Sequence, residues 1–302
     1  MISGNQEADG GSMSKVNRNF KASVFTHLFG EPKNELDLYN AFSPIQFPPD
    51  TPVIDLTLTD ALYMGRVNDL SFSIGGKLLI FFEHQASLSE NMPLRFFIYC
   101  GRVYEKIIDN SVMYSEQRVK IPSPEFYVLY NGIKPFPERK VCRLSESYER
   151  PDGGEAPLEL VVTVYNVNKG FNSDIISRSN NLYGYVTLVS KTREFESLGM
   201  ERQEAVEAAI NGCIREGILA EYLKNNASEV SNMLLQEWNW EDAKTVWQRE
   251  AKEISDREWK PIVAQKDNVI AQKDKDNARL VADKDAEIAD LRAQLEMKKS
   301  NN

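Results

Sequence analysis

Long apolar runs are missing from this sequence of 302 residues. No stretch reaches the ~18 to 20 apolar residues of a membrane-spanning helix, so we expect no membrane segment. Cysteine is also scarce, with three residues, Cys100, Cys142 and Cys213. Because they form neither a close pair nor a metal-ligand spacing, we expect reduced thiols in the core and no disulfide or zinc cluster.

The first residues, 1–17, lack the charged and apolar regions of a signal peptide, so we interpret them as a disordered extension of a cytoplasmic protein, with Met13 as an alternative translation start. The sequence also lacks an excess of basic residues. It has 36 Lys and Arg and 45 Asp and Glu, which gives a net charge of −9. This charge argues against indiscriminate binding to nucleic acids, which depends on concentrated Lys and Arg.

Two carboxylates flank a predicted β-hairpin. The Gly75-Gly76 pair separates two apolar, aromatic-rich runs, which is a turn signal. Asp69 and Glu83 lie almost symmetrically about this pair. Directly opposed residues on paired strands are about 5 Å apart, so the two side chains are expected to meet.

Glu83 follows a continuous apolar run, residues 78–82, that is typical of a strand buried on both faces. Because side chains alternate along a strand, Glu83 and Gln85 are expected on one side and His84 on the other. Two carboxylates with open water positions suit Mg²⁺ better than zinc. The alternative interpretation is that these acids are solvated residues near strand ends.

These residues belong to a longer series of segments that resembles the PD-(D/E)XK nuclease superfamily, and within it the Rpn-type recombination-promoting nucleases and transposase-like proteins. The resemblance covers roughly residues 18 to 250. Besides the hairpin, it includes the segments Phe20–Gly30, Glu35–Ala41, Asn91–Arg95, Phe126–Gly132 and Leu158–Asn172.

The resemblance implies a metal-dependent DNA endonuclease. Carried over by position, Asp69 and Glu83 hold Mg²⁺, or Mn²⁺ as a second choice, Gln85 orients the attacking water, and Asp37 on a preceding helix completes the metal shell. Gln85 replaces the lysine of the superfamily, and Asn68, not proline, precedes Asp69. For Asp37 the alternative is an ordinary acid on a helix surface.

A different class of function stays open beside the nuclease, which is a DNA-binding or scaffold protein that retains the fold without efficient cleavage. Four basic residues near the hairpin, Lys77, Arg95, Arg102 and Lys106, are predicted to contact DNA, although ordinary surface charge explains them as well. The resemblance alone implies a role in recombination or mobile elements.

The order of predicted elements indicates an α/β protein with a restriction-endonuclease-like mixed sheet flanked by helices. Strands are predicted near 53–58, 125–130 and 158–165, a helix at 94–108, and a loop at 143–157. We expect a nuclease-like core at 18–175, helices packed on it at 176–259, and a coiled-coil-like tail at 260–302. Asn131 and Gly132 follow a strand, and either a ligand contact or a tight turn accounts for them.

The tail carries a repeat of apolar residues. Val263, Ile270, Val281, Ile288 and Leu295 are separated by seven, eleven, seven and seven positions, which is a heptad pattern with one stutter. Finely mixed charges surround this repeat, as on the flanks of a coiled coil. We therefore expect the tail to self-associate modestly and the protein to be a homo-oligomer, with a dimer as the simplest form.

Overall fold

A computed structural model of the protein describes residues 23–58, 69–149 and 154–300, and a six-stranded mixed sheet lies at its centre. The chain forms two compact units, Met1–Trp238, which holds the sheet, and Asn239–Asn302. The strands are β1 (Val53–Asp55), β2 (Leu70–Ile74), β3 (Leu78–Gln85), β4 (Ser123–Tyr130), β5 (Arg139–Arg143) and β6 (Val161–Asn166). The helices are α1 (Val24–Phe29), α2 (Pro32–Phe42), α3 (Met92–Ile107), α4 (Ser173–Ile176), α5 (Asn180–Ser197), α6 (Arg202–Arg215) and α7 (Ala220–Ser300).

The predicted hairpin is confirmed. Strands β2 and β3 are antiparallel, with Ile74 paired to Leu78, so that Gly75, Gly76 and Lys77 form the connection. The two glycines have φ angles of +55° and +66°. Residues with a Cβ atom rarely adopt this left-handed backbone, and the glycine pair therefore permits the tight turn.

The strand order in the sheet is β1-β2-β3-β4-β6-β5. The first three strands are antiparallel neighbours, whereas β3, β4 and β6 are parallel and bring their C-terminal ends to one edge. This arrangement confirms the α/β class and the mixed sheet. Strand β5 was missed by the sequence prediction because three of its five residues are basic, which an edge strand tolerates.

Alternate residues of β3 enter two separate cores. Ile80 and Phe82 pack with the apolar residues of α1, α2, α5 and α6 on one face of the sheet. Leu79 and Phe81 pack with those of α3 on the other face. The prediction from the apolar run is therefore confirmed, because β3 is buried on both faces.

Most predicted boundaries shift by a few residues. Strand β1 ends at Asp55, short of the predicted Leu58, whereas the helix predicted at 94–108 is α3, Met92–Ile107. The last part of the helical region predicted at 176–259 falls within α7, which has a non-helical backbone at Asn226. The extension at 1–17 lies outside the described residues.

Cys100, Cys142 and Cys213 are buried free thiols, as the sequence predicts. Among the helices of the described ranges, none combines the length and the apolar character required to cross a bilayer.

The carboxyl group of Glu35 is buried without a compensating partner in the described part of the chain. Glu35 on α2 is 0 % exposed, and neither of its side-chain oxygens has a hydrogen-bond partner among the described residues. Burial, with a smaller contribution from the negative charge of Asp55, raises the pKa of Glu35 to about 8. Glu35 is therefore protonated in the folded protein at neutral pH.

We expect the stability of the protein to depend on pH through Glu35. Its stabilising contribution is complete below the unfolded pKa near 4.5 and is lost as pH rises through about 8, because only the unfolded chain ionises in that window. The free energy of unfolding of the wild type, relative to Glu35→Gln, should fall by up to about 1.4 kcal/mol per pH unit. Urea denaturation at several pH values between 5 and 8 measures this slope. Glu31→Gln, at an exposed position just before α2, serves as the matched control. A constant difference between the wild type and Glu35→Gln across this pH range would contradict the assignment.

Candidate functional site

The two predicted acids meet across the hairpin. Leu70 pairs with Phe82, so the next position outward in the same register sets Asp69 opposite Glu83. Asp69 lies immediately before β2, and its Oδ2 accepts a hydrogen bond of 2.7 Å from the backbone N–H of His84. This bond fixes the Asp69 carboxylate against the end of the neighbouring strand.

Glu83 is 0 % exposed and is held by two donors. Its Oε2 accepts hydrogen bonds from Arg95 Nη2 at 2.8 Å and from Gln85 Nε2 at 3.1 Å. Glu83 and Gln85 therefore share one face of β3, as the alternation of side chains predicts. His84 lies on the opposite face, where its ring stacks on Phe25 with centroids 5.3 Å apart.

Arg95, in the first turns of α3, supplies the cation that compensates Glu83. Its guanidinium also lies 3.3 Å from Tyr99 Oη and 3.2 Å from Met92 Sδ. Burial lowers the pKa of Arg95, but the Glu83 carboxylate, Tyr99 and Asp69 together outweigh this effect, so the pKa of Arg95 is raised. Burial and the same carboxylate raise the pKa of Tyr99. The hairpin acids and Arg95 thus form one electrostatic cluster.

The donor set fits a hard divalent cation with few protein ligands. Asp69, Glu83 and Gln85 offer carboxylate and amide oxygens, and Mg²⁺ is often bound by one or two carboxylates with water and phosphate oxygens. The described ranges contain no group of three or more His, Cys, Asp or Glu side chains that could hold a metal. Any ion here would therefore depend on the two hairpin acids.

Asp37 is not brought to the hairpin. Its Oδ2 accepts a hydrogen bond of 2.5 Å from Ser179 Oγ, and Ser179 caps the N-terminus of α5. Helix α2 packs on the face of the sheet that holds Ile80 and Phe82, whereas Glu83 points to the other face. These contacts favour the alternative for Asp37, a structural acid beside the start of α5, over a place in the metal shell.

The four predicted DNA-contacting residues do not surround the acids. Lys77 lies in the hairpin turn, six residues before Glu83 along β3, or about 20 Å at ~3.3 Å per residue. Arg102 and Lys106 follow Arg95 by seven and eleven residues, which keeps them on its side of α3, about 10 and 16 Å along the axis. Only Arg95 belongs to the cluster itself.

A second polar network lies behind the hairpin, on the other face of β3. His84 Nε2 is 2.7 Å from Tyr185 Oη, and His84 Nδ1 is 3.5 Å from Glu237 Oε1. Burial, with the nearby positive charge of Arg193, lowers the pKa of His84 to about 3. The imidazole is therefore neutral, and its contact with Glu237 is a polar contact between a neutral ring and a carboxylate.

A cavity of about 200 Å³ opens at the C-terminal ends of β4 and β6, beneath α5. Asn131 and Arg193 are among its lining residues, and Arg193 Nη2 donates to the Asn131 carbonyl at 2.6 Å. At Gly132 a Cβ atom would collide with the carbonyl oxygen of Ala86. Asn131 thus lies at a possible ligand position, and Gly132 permits a close approach of two chain segments. The residue types of α5 gave no sequence signal for this cavity.

Neither a scan against protein-family models nor searches of curated proteins and of solved structures finds a match to this chain. Function is therefore inferred from the geometry of the site and from the sequence resemblance.

We expect the substitution Arg95→Met to destabilise the protein, because it leaves Glu83 buried without its cation. Breaking a fully buried pair costs ~3 to 5 kcal/mol, and since the Arg95 side chain is 32 % exposed we expect about 2 kcal/mol. Adding Glu83→Gln should recover most of this loss. Urea denaturation measures the three variants, with the exposed Lys106→Met on the same helix as a control that changes stability by less than ~0.5 kcal/mol. An additive double variant would contradict the pairing.

Proposed function

We propose that the protein is a metal-dependent DNA endonuclease of the PD-(D/E)XK type, which hydrolyses phosphodiester bonds. The observation that carries this proposal is the meeting of Asp69, Glu83 and Gln85 on one face, at the end of a strand buried on both sides. The order of helix, antiparallel hairpin, crossover helix and parallel strand supports a restriction-endonuclease-like core.

Asp69 and Glu83 are the residues that would hold Mg²⁺ or Mn²⁺. A bound ion of this kind supplies Lewis-acid stabilisation of the charge that develops on the phosphoryl oxygens and promotes ionisation of water. The protein's contribution is to keep the two carboxylates in place before substrate arrives. The His84 N–H restrains Asp69, and the side chains of Arg95 and Gln85 restrain Glu83.

Gln85 and Arg95 together replace the lysine of the superfamily, which would supply both a hydrogen-bond donor and a positive charge. The Gln85 amide donates to Glu83 through its nitrogen and retains its carbonyl oxygen as an acceptor for a water proton. It carries no charge, and the positive charge of the site comes from Arg95, about one turn into α3. A guanidinium in this position stabilises negative charge on a phosphate as well as on Glu83.

The proposed DNA path follows one side of α3. Arg95, Arg102 and Lys106 are spaced by seven and four residues and form a line that leads away from the acids. In a protein with a net charge of −9, such a line restricts phosphate contacts to one surface. A biological setting in recombination or mobile elements is proposed on the sequence resemblance alone.

One observation favours the alternative, a DNA-binding or scaffold protein with weak or no cleavage. The Arg95 guanidinium lies 2.8 Å from Glu83 and already compensates one of the two acids. A cation at this distance competes with a metal ion for the same carboxylate oxygen. Binding of DNA without cleavage in the presence of Mg²⁺ would favour this second function.

We expect Asp69→Asn and Glu83→Gln each to abolish Mg²⁺-dependent nicking of supercoiled plasmid, with a loss of at least ~10²-fold, because each removes the charge of one metal ligand at nearly constant shape. Circular dichroism should show an intact fold for both. The exposed Glu105→Gln on α3 serves as the matched control and should cleave like the wild type. Cleavage by either hairpin variant at the wild-type rate, or by wild type in EDTA, would refute the proposal.

We expect Gln85→Ala to reduce the rate by about 10²-fold with little change in metal affinity, as for the loss of one positioning dipole. Gln85→Lys should preserve or raise the rate, because it places a charged donor beside Glu83. Single-turnover cleavage and isothermal titration with Mg²⁺ separate rate from affinity. An equal loss of metal binding in Gln85→Ala would make Gln85 a ligand instead.

A further inference from the structure

The second unit exposes an apolar stripe along α7. Its side chains are between 46 % and 59 % exposed at Trp259, Val263, Ile270, Val281, Ile288 and Leu291. Most helices in proteins gain their stability by burying such a stripe, and a long helix that leaves it in water lacks this contribution. The stripe therefore indicates a surface that a partner helix could cover.

The residues along this stripe have a symmetrical spacing. Successive positions, three or four residues apart, are Val263, Lys266, Ile270, Lys273, Asn277, Val281, Lys284, Ile288 and Leu291. The steps read 3, 4, 3, 4 up to Asn277 and 4, 3, 4, 3 beyond it, so they are the same in both directions. The eleven-residue step through Asn277 also cancels the drift of about 20° that one heptad introduces on a straight helix.

The lysines in this seam decide how two copies can pair. In a parallel, in-register dimer each residue meets its own copy, so Lys266, Lys273 and Lys284 would each face an identical lysine. Like charges directly opposed in a helix interface are unfavourable. A parallel homodimer is therefore disfavoured by three layers of the seam.

An antiparallel dimer centred on Asn277 removes all three conflicts. Lys266 then faces the partner's Ile288, and Lys273 faces the partner's Val281. By the same symmetry Lys284 faces the partner's Ile270, and Val263 faces the partner's Leu291. Every lysine stem packs against an aliphatic side chain, and its ammonium can extend to the rim of the interface.

Acidic residues lie where those ammonium groups would emerge. Asp285 is three residues before Ile288 and four after Val281, the residues that Lys266 and Lys273 would face. Asp267 and Asp274 flank Ile270, which Lys284 would face, by three and four residues. Residues at these spacings are neighbours on a helix surface, so each seam lysine has an acid of the other copy beside it.

We propose that α7 pairs with a second copy of this chain as an antiparallel coiled coil whose two-fold axis passes at Asn277. At the axis the two Asn277 amides hydrogen-bond to each other, and a polar pair in an apolar seam fixes the register. On pairing, Lys284 exchanges its exposed contact with Glu287, at 2.7 Å in the single chain, for acids of the partner. The dimer has a closed two-fold symmetry, and it does not depend on the proposed nuclease activity.

Cysteine cross-linking of the full-length protein tests the orientation. Val263→Cys and Leu291→Cys proteins, mixed and oxidised, should form a 263–291 disulfide between chains. Val263→Cys alone should not cross-link, because the two copies of residue 263 would be about 42 Å apart at ~1.5 Å per residue. The native cysteines are buried and do not compete. Cross-linking of Val263→Cys to itself, or no product from the mixture, would overturn the proposal.

Sedimentation tests the proposed interface without introduced cysteines. Asn277→Asp places two negative charges together at the axis and should weaken dimerisation by at least about 10-fold. Asn268→Asp, on the outer side of the same helix, adds the same charge and should leave the dimer unchanged. Lys273→Leu should strengthen it. A wild-type protein that sediments as a monomer at tens of micromolar, or equal effects of Asn277→Asp and Asn268→Asp, would refute the proposed interface.

Discussion

Burial of β3 on both faces is the constraint on which the sheet unit depends. Its residues alternate between two cores, so a polar side chain on this strand is accommodated only with a dedicated partner or near the end of the strand. Glu83 meets both conditions, because it lies near the C-terminal end and is compensated by Arg95. The crossover to α3 is what places that cation, since the first turns of the helix begin just beyond the end of the strand.

The part of the candidate site that depends on the alternation of side chains along a strand was predictable from the sequence. Two-residue alternation and a turn centred on glycines place Asp69, Glu83 and Gln85 together and His84 apart, and the structure agrees. The role of Arg95 as the partner of Glu83 could not be read from sequence, because it depends on how α3 packs against the sheet. The position of Asp37 could not be predicted for the same reason, since helical periodicity does not say which face of the sheet a helix covers.

Distance along an element explains the remaining differences. Lys77 is close to the acids in sequence, yet a strand separates its two ends by its full length, so the turn and the carboxylates lie at opposite ends. Strand β5 has too few apolar residues to produce a signal, because an edge strand needs only one covered face. The prediction for the tail, by contrast, rests on heptad spacing alone. Heptad spacing can be read from the sequence without knowing how the rest of the chain packs.

His84 joins the two sides of the sheet in a single residue. Its backbone N–H holds Asp69, while its ring contacts Tyr185 on α5 and Phe25 on α1. The hairpin consequently depends on helices α1 and α5 and could not be transferred alone to another protein. Transferred to a scaffold without those helices, it would carry a neutral imidazole with no apolar pocket to receive it, and the strand end that positions Asp69 would lose its anchor. The site therefore depends on the helical layer behind it.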